Sequence, residues 1–218
     1  MLLGHYAVGF ALKKASPKLS LGTLFLASQF IDLIWPLFIL IGLERVSVDP
    51  GNTVVTPLDF EHYPFTHSLL GVLAWAVLFG LAYWAIKRKR VAAIWLGAAV
   101  VSHWALDLIV HRPDLPLFPG SSIFAGFGAW NSMLLTIILE GGLFAGGIFL
   151  YMKTTVSNDK TGSISLISLI IFLSVVYLAN IFGPPPPDSG KIIAASALLL
   201  WLIIPWGYWI DRHRSVRN

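Results

Sequence analysis

Six apolar stretches dominate this chain: residues 21–43, 68–86, 91–110, 130–152, 164–182 and 192–210, each 19 to 23 residues long. At about 1.5 Å of rise per residue, each is long enough to cross the roughly 30 Å hydrocarbon core of a bilayer as a helix. Charged residues make up only 12% of the chain, against about 25% in a soluble domain, too few to coat a water-facing surface. The sequence therefore predicts an all-α polytopic membrane protein of six transmembrane helices, with residues 1–218 as a single integral-membrane domain in the lipid bilayer. Only the connections 44–67 and 111–129 have any length, and aromatics at stretch ends (Trp84, Trp130, Tyr151, Trp206, Trp209) suit a membrane interface.

Alternating the loops between two sides places twelve basic residues on one: Lys13, Lys14, Lys18, Lys87, Arg88, Lys89, Arg90, Lys153, Lys160, Arg212, Arg214 and Arg217. The other side holds Arg45, Arg112 and Lys191. By the positive-inside rule the first side is cytoplasmic, so both termini are expected there, in a bacterial inner membrane. The net charge of +4 is thereby used up in topology, and no nucleic-acid partner is expected. Residues 2–12 are apolar but too short to cross, and two arrangements stay open for them. One is a half-helix rising from Lys13 and Lys14 to mid-bilayer at Met1, its positive end inside the bundle; the other is a helix flat in the interface. Gly142 and Gly146 form a GxxxG that lets another helix approach closely, within this chain or in a homodimer.

The apolar stretches contain three carboxylates, Asp32, Asp107 and Glu140, and no Lys or Arg. Each buried charge costs about 2.5 to 3.5 kcal/mol even on a lenient insertion scale, so each must be protonated, paired with histidine or bound to a cation. Asp32 lies about 16 Å from either end of its stretch, Glu140 about 15 Å from its outer end and His103 about 18 Å from its inner end, one common level. His103, Asp107 and His111 follow at i+4 spacing on one helical face. His67 begins the second stretch, and His5 reaches the same depth if the half-helix forms. Histidine and carboxylate together are ligands for zinc, manganese or iron; with no cysteine in the chain, a metal site must be built from them. A proton-handling pair and a structural contact are the alternatives.

The same residues resemble a known family, the bacterial membrane-bound metal-dependent hydrolase-like proteins, which include LexA-binding inner-membrane members. Gly4 and His5 followed by Gly9 resemble its His-x3-Gly opening, and His103 with Asp107 its His-x3-Asp helix. Residues 61–69, holding His62, Thr66, His67, Ser68 and Leu69, are similar to its His-Arg-Gly-x-Thr-His-Ser-Leu signature without the Arg-Gly. Asp32 stands where that family has Pro-Asp-x-Asp, so one of two acids is present. The resemblance implies His5, Asp32, His67, His103 and Asp107 as ligands, or their supporting residues, of a divalent metal ion, Zn first and Mn or Fe next.

With such an ion, water becomes a nucleophile near neutral pH, and Asp32 or Glu140 is the expected catalytic base. Arg112, at the outer mouth, is the expected substrate-binding cation for a phosphate or carboxylate. The depth of the residues favours an amphiphilic ester or phosphoester, a lipid-like substrate. A small proton- or cation-coupled transporter and a non-catalytic membrane adaptor are the competing functions.

Overall fold

The computed structural model describes residues 1–217. Its helices in chain order are α1 (Leu2–Ala15), α2 (Leu21–Ser28), α3 (Phe30–Leu40), α4 (Leu69–Lys87), α5 (Arg90–Val110), α6 (Met133–Thr154), α7 (Lys160–Phe182), α8 (Gly190–Ala197) and α9 (Ile203–Arg212). A 3-10 stretch, Leu198–Leu202, joins the last two into one span, Gly190–Arg212. Three short antiparallel ribbons tie the loops: β1 (Arg45–Val48) with β2 (Leu58–His62), β3 (Leu115–Pro116) with β4 (Phe124–Ala125), and β5 (Thr155–Ser157) with β6 (Arg214–Val216). Helix starts are set by local capping: the side chains of Ser20, Ser68, Ser132 and Asp159 accept the N–H three residues on.

Five spans are continuous helices of 19 to 23 residues among the described residues. The sixth, expected as one helix over residues 21–43, is instead two half-helices, α2 and α3, bent by 53°. Gln29 stands at the break with φ −100° and ψ 1°, and Pro36 has no N–H to give the carbonyl of Asp32. Apolarity over the whole stretch hides that interruption. Its consequence is that Asp32 lies in the first turn of a helix that begins inside the bundle.

The half-helix arrangement of the N-terminal segment is the one adopted. Tyr6 and Phe10 of α1 are fully buried, in a core completed by Phe25, Phe144, Tyr151 and Leu169. The α1 and α6 backbones touch at Gly147, where a Cβ would stand 2.5 Å from the carbonyl oxygen of Ala7. Gly142 and Gly146 face away, with nothing within 4 Å of their missing Cβ atoms. So the intrachain approach uses the neighbouring glycine and leaves the GxxxG face uncovered.

The C-terminal end of α1 is fastened at the basic end of the bundle. Lys13 donates to Asp211 and to the carbonyl of Leu19, and Asp211 also accepts the N–H of Leu21 and the Tyr151 hydroxyl. Pairing of β5 with β6 gathers the α6–α7 loop and the chain's end there too. At the opposite end, Val48 donates to Asp188 and Val55 to the carbonyl of Trp130, joining the three remaining loops. For these loops the grouping inferred from basic residues is the spatial grouping.

Candidate metal centre

Two helices that begin inside the bundle, the segment just before α4, and one helix that passes through the bundle deliver the polar residues. His5 comes from the first turns of α1, Asp32 from the first turn of α3, His67 from just before α4, and His103 and Asp107 from adjacent turns of α5. They form two overlapping groups sharing His103: His5, His103 and Asp107, and Asp32, His67 and His103. In each group one ligand atom per residue lies within 4.8 Å of the others. All five residues expected from the sequence as ligands are brought together.

Two of the histidines, His67 and His103, are held by their outer ring nitrogens. Nδ1 of His103 lies 3.1 Å from the carbonyl oxygen of Ser28, the last residue of α2, so the break before α3 supplies its acceptor. Nδ1 of His67 lies 2.7 Å from the Thr66 hydroxyl, which donates its own proton to Glu44 at 2.7 Å. A hydroxyl that donates to a carboxylate accepts from the ring, so the Nδ1 of His67 carries the proton. In both residues Nε2 is left as the inward-facing atom, the arrangement by which second-shell acceptors orient metal-binding histidines.

These two Nε2 atoms meet oxygens that are acceptors. Each lies 3.5 Å from the same Asp32 oxygen, Oδ1, and that of His103 is also 3.2 Å from Asp107. Nε2 of His103 is fully buried without a hydrogen-bond partner. A charge-assisted N–H···O bond spans about 2.7 to 2.9 Å, so 3.5 Å is too long for one. It matches the edge of a tetrahedron around an ion bound at about 2.0 to 2.1 Å, roughly 3.4 Å. The donor set and its spacing fit a divalent metal such as zinc.

The remaining contacts fix the rear wall. His5 stacks on His103 at 3.6 Å and points Nε2 at Asp107, 3.1 Å away. Asp107 also accepts from the Met1 amino group at 2.8 Å. In front lies a cavity of about 150 Å³. Asp32, Asp107 and His67 reach it, and Trp35, Phe60 and Trp130 give it aromatic walls.

Other expected residues stand elsewhere. Glu140 is buried, but its carboxylate accepts the N–H of Leu3 at 2.9 Å and holds the start of α1; it belongs to neither ligand group and does not line the cavity. Arg112 is paired with Asp59 and Asp114 outside the cavity wall. His111 does line the cavity, with Nδ1 2.9 Å from Asp114. Tyr63 donates to that same carboxylate at 2.8 Å; burial, with Asp114 beside it, pushes its hydroxyl well above its ordinary pKa and keeps it a donor.

Sequence reasoning did not single out Glu44. It is buried and accepts from the N–H groups of Phe65 and Thr66, both at 2.8 Å, and from the Thr66 hydroxyl. The threonine directly before His67 was the available signal, since a hydroxyl beside a ligand needs an acceptor of its own.

The family model for the YdjM inner membrane protein matches residues 1–183. The chain belongs to the YdjM inner membrane protein family. The match takes in all five clustered residues and Glu44, and stops before α8, whose Ala197 lines the cavity. No curated protein and no solved structure matches the chain.

Proposed function

We propose that the protein is a membrane-embedded metal-dependent hydrolase of an amphiphilic ester or phosphoester, with His5, Asp32, His67, His103 and Asp107 holding the ion. The observation that carries the reading is the pair of Nε2 atoms, on His67 and His103, each 3.5 Å from one oxygen of Asp32. A divalent ion held by these residues would supply Lewis acidity and lower the pKa of a bound water, so that it could be deprotonated near neutral pH. Asp32, which reaches the cavity, is our candidate for taking a proton from a water held in it. Glu140 acts at one remove, by holding the start of α1 and so placing His5. Trp35, Phe60 and Trp130 admit an apolar substrate portion beside the polar group and limit bulk water.

The test is elemental mass spectrometry on detergent-purified protein without a His tag, beside His103→Ala. Zinc, manganese or iron near one ion per chain, lost in the variant, is expected, followed by release of phosphate or acyl product from total bacterial lipid. Metal-free wild-type protein under non-stripping conditions overturns the reading and moves the site to proton coupling.

The basic end of the bundle is taken as cytoplasmic on its charge. The chain has no cysteine, so Ser122→Cys should react with a membrane-impermeant thiol reagent added outside intact cells, while Ser215→Cys should not. The reverse pattern inverts the topology.

A further inference from the structure

Away from the metal centre, a groove of about 520 Å³ runs along the outer face of the α4–α5 hairpin. Its floor is made where the two helices touch through small residues. A Cβ on Gly80 would lie 3.2 Å from the carbonyl oxygen of Ala93, and one on Gly97 3.3 Å from that of Ala76. Larger side chains, Val77, Leu81 and Ile94, stand exposed as its walls. From Leu73 to Trp84 the groove runs along about 16 Å of helix, parallel to the span.

One end of the groove differs in kind. Arg90 lines it there, its guanidinium carbon 5.5 Å from the ring centre of Trp84, and Lys87, Arg88 and Lys89 are exposed beside it in the turn. Among the described residues the Lys and Arg ion pairs involve Lys13, Arg45 and Arg112 and none of these four. Nor do Lys89 and Arg90 serve the helix they precede and begin, because positive charge at a helix N-terminus opposes its dipole. Membrane topology accounts for the sign of the cluster, but it calls for no apolar groove ending at an arginine. An apolar trough capped by unpaired cations is complementary to one class of membrane molecule, a chain-bearing anion.

We infer that this groove is a binding site for one anionic phospholipid, an acyl chain lying on the Gly80–Gly97 floor and the phosphate held by Arg90 and its basic neighbours. The site is separate from the metal centre, so its failure and that of the hydrolase reading are independent.

Native mass spectrometry of the full chain, exchanged into nanodiscs of equal phosphatidylglycerol and phosphatidylcholine with identical acyl chains, tests it. One phosphatidylglycerol should be retained in preference. Arg90→Gln should weaken that preference about fivefold, the weight of one basic residue at an anionic surface, and Arg90→Lys should keep it. Val77→Trp, at a lipid-facing position that tolerates bulk, should displace the lipid, as should Ala98→Leu. Equal retention of the two lipids overturns the proposal. So does loss in Arg90→Gln with full retention in both groove-filling variants, which leaves only a charged turn, or a dimer seated on the groove in place of lipid.

Discussion

Two buried polar clusters sit at opposite ends of α1, and they are finished differently. At the C-terminal end, Asp211 accepts from Lys13, the N–H of Leu21 and the Tyr151 hydroxyl, so cation and carboxylate neutralise each other. At the N-terminal end, Asp107 is paired with the Met1 ammonium, but Asp32 faces only histidine nitrogens, and Nε2 of His103 is left with no partner. Buried polar groups are ordinarily satisfied, so the first cluster reads as a clasp and the second, on the proposal above, as a receptor for an ion. What separates them is the donor side, a lysine and a tyrosine in one and histidines in the other.

That contrast can be broken most forcefully at the clasp. Asp211→Ala leaves the Lys13 ammonium buried and unpaired, and should cost about 3 to 5 kcal/mol in detergent unfolding, with or without metal. Asp32→Asn should behave the other way: metal-free protein unfolds at or above the wild-type midpoint, while zinc affinity in a chelator competition falls by at least about 100-fold. A metal-free Asp32→Asn as damaged as Asp211→Ala would make both clusters structural. More finely, Thr66→Val or Glu44→Gln should lower zinc affinity by about 10- to 100-fold by releasing the ring of His67, and Thr66→Ser should restore it. The smallest effect is expected outside both clusters, at exposed Asp159. The hydrogen bond from His213 holds its carboxyl below the ordinary range near 4, so its contribution is present at neutral pH and lost as pH falls through that lowered value. Thermal midpoints of Asp159→Asn and wild type should differ slightly at pH 7 and converge in acid.

Much of the receptor was legible because its parts announce themselves locally. His103 and Asp107 share a helical face by spacing, and a carboxylate such as Asp32 inside an apolar stretch demands a partner wherever the chain goes. The clasp was not legible: Lys13 and Asp211 are 198 residues apart, and a lysine ending an apolar run looks like a topology signal whether it faces solvent or, as here, is buried. Glu44 escaped for a related reason, since its donors lie across a hairpin more than twenty residues on. The break at Gln29 was hidden by apolar neighbours, though Pro36 seven residues later marks a stretch that cannot be a fully bonded helix. The direction in which Glu140 points was not legible, because rotation about a span is set by packing.

The burial of α1 also bears on how the molecule is made. The first helix of the chain packs against α6, about 140 residues later, which at about 5 to 20 residues per second is roughly 7 to 28 s of synthesis. Until then a 14-residue apolar segment, too short to span, has no completed pocket and must wait at the membrane surface or in the insertion machinery. His5, carried on that segment, meets His103 and Asp107 only once α1 is seated against α5.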